Sequence, residues 1–245
     1  MIPAYNKAFI LFFSFTIKYF YSIIYMMSVS AEIINIKDSS GVMGAIQDGK
    51  VFEYILNDPS PESKENLKNI VLEFLKKINL EKSYNLLCLC LEEIISNSVK
   101  ANIKRAYFIS HNLDINKPED YEKGMKYFKE EGLSKIKDMT FVKKINDMGL
   151  YVKLYFSILN NGLTITAKNN SVISKEEIDR VNKKLKLSEN KSPEDLFMNS
   201  IDQTEGAGLG IIMIKKILSQ ISSAPDCFAI SATETETITE LKIIP

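Results

Sequence analysis

The sequence is poor in the residues that build several common kinds of site. Its 245 residues include three cysteines, one histidine and no tryptophan. Three cysteines are too few for a disulfide scaffold or a four-cysteine zinc site. Because His111 is the only imidazole, a histidine-based zinc centre is excluded, and the GxSxG motif of many serine hydrolases is absent. The simplest interpretation is a protein of a reducing, cytoplasmic setting.

Net charge is absent as well, since 31 basic residues balance 31 acidic ones. A chain without net positive charge has little to drive counterion release from phosphates, which argues against a general nucleic-acid binder. Its 45% hydrophobic content and its length are enough for a buried core in one or two domains.

The residues before position 29 form an apolar segment with three interpretations. Residues 8–27 carry a single charge, Lys18, and are long enough to span a bilayer. The following Val29-Ser30-Ala31 fits a signal-peptidase site. Alternatively, translation starts at Met26 or Met27 and the upstream residues are an over-called extension. A membrane anchor would place the rest of the chain outside the cell, because Lys7 would stay inside.

Residues 29–245 contain a series of predicted helices and strands. Hydrophobic periodicity and turn signals predict strands at Glu32–Ile36, Lys50–Leu56 and Arg105–Ser110, helices at Ser63–Ile78 and Ser83–Asn102, and a charged helical insertion at 116–149. A hairpin of Tyr151–Leu159 and Leu163–Lys168 turns at Asn161-Gly162. Ser174 and Glu177 form a capping box for a helix at Lys175–Leu187, and a helix at Ile211–Ile221 precedes the closing strands. Together these elements predict helices layered on a mixed sheet, an α+β fold.

Three polar residues recur along the apolar helix at 83–102. Glu93, Asn97 and Lys100 share one stripe because they lie at i, i+4 and i+7. Polar groups on so apolar a helix are costly unless something pairs with them. A metal-bound phosphate would pair with all three, with Asn97 as an Mg²⁺ ligand and Glu93 as proton acceptor. The alternative is that the stripe is the solvent edge of the helix.

Two other segments bear on phosphate and base binding. Gly206, Gly208 and Gly210 alternate before an apolar helix, where bare backbone N–H groups favour an anion. The GxxxxGK[ST] motif is absent, so a P-loop is not indicated. Asn169 ends the apolar face of a strand and offers an amide to a ligand such as adenine. Alternatively, Asn169 simply terminates the strand.

In order and spacing, these segments resemble the GHKL ATPase superfamily of histidine-kinase-like ATPases. LEEIISNSVKA resembles its N box, GAGLG its second glycine box, and ITAKNN occupies the place of its first, aspartate-bearing box. The closing residues 239–245 are similar to its last strand, which offers a threonine near the adenine. The resemblance covers roughly residues 50–245 and is interrupted by the insertion at 116–149.

The resemblance implies a two-layer α/β sandwich with helices on one face of a mostly antiparallel sheet, and it implies ATP and Mg²⁺ as ligands. It assigns Mg²⁺ binding to Asn97, phosphate contact to Lys100 and general-base catalysis to Glu93. Residues 171–205 would be the ATP lid. The remaining cofactor-binding residues would be Asn169, Gly206, Gly208, Leu209, Gly210 and Thr239.

Two departures from the family pattern shape the functional prediction. Asn169 stands where the family has aspartate, and the glycines that follow it there are missing. No histidine precedes position 111, so a phosphoacceptor histidine on an upstream helix is excluded. The strand at Lys50–Leu56, Asp58-Pro59 and one long helix before the N-box helix resemble the plan of the anti-sigma serine kinases. We therefore expect a cytoplasmic kinase that phosphorylates a separate protein partner. A catalytically weak nucleotide sensor or scaffold, a membrane-anchored interaction protein and a homodimer stay open.

Overall fold

The structure, a computed structural model, describes residues 39–56, 61–128, 147–188 and 209–245. Several predicted features lie outside these ranges: the apolar segment at 8–27, the strand at 32–36, much of the insertion and the lid beyond position 188. Within the described ranges, none of the helices has both the length and the apolar character needed to cross a bilayer.

The described residues contain six α-helices and five β-strands. The helices are α1 (Ser39–Asp48), α2 (Pro61–Lys77), α3 (Tyr84–Ser110), α4 (Pro118–Tyr127), α5 (Lys175–Ser188) and α6 (Leu209–Ile221). The strands are β1 (Phe52–Leu56), β2 (Val152–Leu159), β3 (Gly162–Asn169), β4 (Phe228–Ala232) and β5 (Thr237–Ile243). The predicted strand at 50–56 and the helices at 63–78, 175–187 and 211–221 are confirmed to within two residues at each end.

The strands form one sheet in the order β1-β2-β3-β5-β4, and every neighbouring pair in the described sheet is antiparallel. Burial alternates along the strands: in β1, Phe52 and Tyr54 are buried whereas Glu53 is exposed. One face of the sheet is therefore covered by helices and the other is open. This arrangement confirms the predicted α+β class.

The core lies between the covered face and the helices α2, α3 and α6. Phe74 of α2 stacks on Phe156 of β2 with 5.2 Å between ring centroids. Leu87 and Leu91 fix the first turns of α3 in the same core, at 0% and 1% exposure. Each such side chain contributes about 1.5–3 kcal/mol when buried, so α3 is held firmly along this part of its length.

The predicted strand at Arg105–Ser110 is wrong, because these residues form the last two turns of α3. Their aromatic and β-branched side chains favour a strand locally. However, Ile103, Ala106 and Tyr107 are buried together at helical spacing. Tyr121 of α4 and neighbouring apolar residues of the insertion pack against this end of α3. Tertiary burial therefore overrides the local propensity.

The predicted hairpin is confirmed, but its turn lies one residue earlier than expected. Leu159 pairs with Gly162, which leaves Asn160 and Asn161 as the two central residues. Both have positive φ, 50° and 60°, as a type I′ turn requires. Asparagine tolerates this left-handed conformation better than most residues with a side chain. Gly162 is consequently the first residue of β3.

The predicted capping box at the start of α5 is confirmed. The backbone N–H of Ser174 donates to Oε2 of Glu177 over 3.1 Å, and the backbone N–H of Glu177 donates to Oγ of Ser174 over 3.2 Å. These reciprocal bonds satisfy two backbone donors that a helix start would otherwise leave unpaired.

Candidate functional site

The three polar residues of the stripe interact with one another on α3. Nδ2 of Asn97 donates to Oε1 of Glu93 over 3.1 Å. Lys100 is exposed, and its positive charge acts on the same carboxyl group. The Glu93 side chain is only partly accessible, so the stripe is more than a row of solvated side chains at the edge of the helix.

The start of α6 lies directly against Glu93. Gly210 is the second residue of α6. A Cβ atom added to it would lie 2.0 Å from Oε1 and 2.5 Å from Cδ of Glu93. The backbone of Gly210, the last glycine of the GAGLG segment, therefore lies in direct contact with the carboxyl group of Glu93. The first turn of a helix carries partial positive charge, which favours an anion at this position.

Burial raises the pKa of Glu93 above its ordinary value. The charge of Lys100 and the hydrogen bond from Asn97 both act in the opposite direction but offset only part of the effect. A carboxylate with a raised pKa accepts a proton more readily than an exposed one. The arrangement therefore suits a general base.

A second group of contacts surrounds Asn169, which is 3% exposed at the end of β3. Its Nδ2 donates to the backbone oxygen of Ser171 over 3.2 Å and to Oδ1 of Asn102 over 3.4 Å. Asn102 in turn donates from Nδ2 to the backbone oxygen of Tyr151 over 3.1 Å. An aspartate at position 169 would face two acceptor oxygens, so an amide fits this place better than a carboxylate.

Thr237 completes this end of the sheet from the neighbouring strand. It lies opposite Asn169 in the register of β3 and β5. Its hydroxyl donates to the backbone oxygen of Ser171 over 2.7 Å and accepts from the backbone N–H of Ile173 over 2.8 Å. Thr239 lies on the same face, opposite Ala167, and is 9% exposed.

The predicted site residues thus fall into two groups in the described part of the chain. Glu93, Asn97, Lys100 and Gly210 form the first group, and Asn169 and Thr239 belong to the second. Among the described residues, no hydrogen bond joins the two groups. Asn102 links the two groups through α3. It accepts the hydrogen bond from Asn169, and it lies on the same helix as Asn97, five residues and about 7.5 Å further along the helix axis.

The glycine segment is only partly covered by the described ranges. Gly206 and Gly208 lie outside them. Leu209 is the first residue of α6, and its side chain also lies outside the description. Gly210 is therefore the residue of this segment whose position bears on the site.

Two residues of the site were not predicted from the sequence. Asn102 is a buried amide near the end of the predicted helix, and its contact with Asn169 links positions 67 residues apart. Its place on an apolar helix was a usable signal, since buried amides need partners. Thr237 could have been found from the strand register, two positions before Thr239.

The residues fit the implied nucleotide and metal in three respects. Oδ1 of Asn169 accepts no hydrogen bond from the described residues, so it is available to an amino group. Oγ of Ser171 is buried and likewise lacks a partner within those ranges. Asn97 uses Nδ2 for Glu93, which leaves its Oδ1, a suitable Mg²⁺ ligand, without a described donor.

Comparisons with known proteins do not establish a family. No protein-family model matches the chain. A Treponema pallidum (strain Nichols) protein, described only as uncharacterized, is 34% identical over 155 residues. The match covers 63% of this chain but 30% of that protein, so the chain spans less than a third of its relative's length.

Among solved structures, a chain of the SiaB-SiaC complex from Pseudomonas aeruginosa is similar to this one, with a TM-score of 0.40 and 10% identity. The similarity covers 84% of this chain and 97% of that chain. Similarity this low establishes neither a shared fold nor a shared function. The functional conclusion therefore depends on the residues of the site.

Proposed function

We propose that this chain is an Mg-ATP-binding, histidine-kinase-like ATPase domain that acts as a cytoplasmic signalling kinase on a separate protein. The observation that carries the proposal is the contact of Glu93 with both Asn97 and Gly210. It joins the N-box helix to the helix that follows the glycine segment. This contact supports the proposal because the N-box motif and the glycine segment, which together resemble the family, would then contribute to one site.

Three residues of the first group, Asn97, Lys100 and Glu93, have chemical roles in this proposal. Asn97 would ligate Mg²⁺ through Oδ1, and Lys100 would contact the phosphates. The bound nucleotide would supply the transferable phosphoryl group. Glu93 would accept the proton of the attacking hydroxyl group or water, a task that its raised pKa favours.

The second group would bind the base of the nucleotide. Because both donor contacts of Asn169 go to protein oxygens, its Oδ1 is left as an acceptor. An acceptor suits the exocyclic amino group of adenine and does not suit the corresponding oxygen of guanine. The proposal therefore includes a preference for ATP over GTP.

The first experiment is calorimetry of Mg-ATP binding to the full chain. We expect binding that requires Mg²⁺, is weaker for Mg-GTP and is lost in Asn97→Ala. Asn85→Ala is the matched control, because Asn85 lies on the same helix but is exposed. Absence of binding at millimolar ATP, or equal loss in both variants, would contradict the proposal.

Turnover is tested separately from binding. If Glu93 is the base, Glu93→Ala should retain Mg-ATP binding and lose turnover about 100-fold or more. Retained turnover would reject this role for Glu93. Phosphate release in the absence of a partner measures ATPase activity, whereas transfer to a protein requires the partner.

A second candidate function is a nucleotide-sensing scaffold that binds a regulatory partner and catalyses nothing. Asn169 favours it, because the amide replaces the charged residue of the family motif. Binding of Mg-ATP without measurable turnover in the wild-type protein would support this alternative.

A further inference from the structure

Gly210 is a glycine in the first turn of α6, and the space where its side chain would lie is occupied. An added Cβ would come within 2.0 Å of Oε1, 2.5 Å of Cδ and 2.8 Å of Cγ of Glu93. Separations under 3.0 Å require movement of one of the two groups. The overlap involves three successive atoms of the glutamate, so a rotation of the carboxyl group alone does not relieve it.

Neither helix is free to move away from this contact. In α6, Ile214 and Leu218 are 1% and 0% exposed in the main core. In α3, Leu91 and Ile94 flank Glu93 and are 1% and 4% exposed. Close-packed interiors resist shifts of this kind, so a side chain at position 210 would displace Glu93 and leave the helices largely in place.

Helix propensity does not account for a glycine at position 210. Glycine is the poorest helix former after proline. Gly44 in α1 has no atom within 4 Å of its added Cβ, so alanine would fit there without cost. At position 210, by contrast, the space that a side chain would fill is occupied by Glu93.

We propose that Gly210 is a positioning residue for Glu93: the bare backbone at the start of α6 creates the space in which the Glu93 carboxyl group is held beside Asn97. The structural part of this inference stands without any ligand. Its catalytic consequence rests on the proposed function, because it assumes that Glu93 acts as the base.

The structural part is tested by a double-mutant cycle of Gly210→Ala and Glu93→Ala, followed by denaturant unfolding. We expect Gly210→Ala to lose the gain in stability that Gly44→Ala shows, because it must displace the Glu93 side chain from Asn97. In the Glu93→Ala background, the same substitution should be neutral or stabilising, because the displaced atoms are gone. Gly44→Ala measures the gain from helix propensity alone. An identical effect of Gly210→Ala in both backgrounds would overturn the proposal.

A conservative rescue separates positioning from general disturbance of the fold. Glu93→Asp shortens the side chain by one methylene group and withdraws it from position 210. It should therefore partly restore the stability of Gly210→Ala, although it brings no such gain to the wild-type protein. If Gly210→Ala does not fold, the double variant with Glu93→Ala should fold; failure of both variants to fold would also overturn the proposal.

Turnover provides the readout that a purely structural role would not change. In Gly210→Ala, we expect kcat for ATP to fall about tenfold or more while KM changes little, because a small displacement of a catalytic group is costly. A matched fall in Gly44→Ala, or unchanged kcat in folded Gly210→Ala, would contradict the catalytic part. If the wild-type protein has no ATP turnover, the proposed function fails, and the stability cycle still decides the role of Gly210.

Discussion

Two unequal halves of α3, the first from Tyr84 to Lys100 and the second from Ala101 to Ser110, are each contacted by another helix through a glycine. In the first half, Gly210 of α6 lies against Glu93. In the second half, Gly124 of α4 lies against Phe108, with an added Cβ 2.4 Å from the Cζ atom. The two contacts have similar geometry and different chemistry. One involves a polar, partly accessible side chain and the other a fully packed ring.

Each half also has a partly buried glutamate, Glu93 within the first half and Glu177 of α5 beside the second, and the pKa values of the two shift in opposite directions. Burial is the largest influence on both and raises the pKa of each carboxyl group. At Glu177 of α5, the ion pair with Lys104 and the capping bond with Ser174 outweigh burial, so the pKa is lowered. At Glu93, the opposing interactions are too weak, so the pKa stays raised.

The difference separates a structural contact from the contact that we propose to be functional. Glu177 has its charge paired and also accepts a hydrogen bond from the hydroxyl of Tyr121 over 3.4 Å. It therefore ties α3, α4 and α5 together. Glu93 remains under-compensated on a helix whose apolar neighbours are well packed. Natural sequences accept this kind of local cost mainly where function requires it.

The largest effect is expected from Gly124→Ala, which tests the packed contact. Phe108 is 1% exposed and has no room to withdraw, so we expect a loss of about 2 kcal/mol in the free energy of unfolding. Denaturant unfolding measures it. Gly44→Ala, at an open helical position, should gain about 0.4–1 kcal/mol. Similar results for the two variants would show that α4 is not docked through this glycine.

An intermediate effect is expected from Glu177→Gln, which removes the paired charge. Glutamine can keep the capping box, so the variant isolates the interaction with Lys104. Because the folded-state pKa is lowered from 4.5, the ion pair contributes stability above that pH and loses it as the pH falls below. We expect a loss of about 1–2 kcal/mol at pH 7 that shrinks in acid. A pH-independent difference in unfolding free energy would contradict the ion-pair interpretation.

The two halves of α3 also differ in how well the sequence predicted them. The stripe of Glu93, Asn97 and Lys100 follows from helical spacing, a local property of the chain. The last two turns of α3 depend on α4, whose Tyr121 packs against Phe108 across the intervening turn. Local propensity favours a strand there because it contains no information about the packing partner.

The same distinction holds for the contacts of Glu177 and Glu93. The capping box of Ser174 and Glu177 could be recognised from residues three positions apart. The pairing of Glu177 with Lys104 could not, since it links positions 73 residues apart. The contact of Gly210 with Glu93 is of the same long-range kind. Sequence patterns therefore identified the chemical groups of the site, and only the fold showed which of them meet.

The smallest effect is expected from Glu93→Gln, measured without nucleotide and in the presence of a chelator. Because the folded-state pKa of Glu93 is raised from 4.5, the folded protein holds this proton more tightly than the unfolded chain. Stability therefore falls as the pH rises from that value through the raised pKa. Glutamine removes this dependence, so the variant should match the wild-type protein in acid and exceed its stability at neutral pH. Glu92→Gln, at the adjacent position with 37% side-chain exposure, controls for loss of a charge on α3. A loss of stability at neutral pH in Glu93→Gln would mean that the carboxylate is compensated as fully as Glu177, and the contrast between the two halves of α3 would disappear.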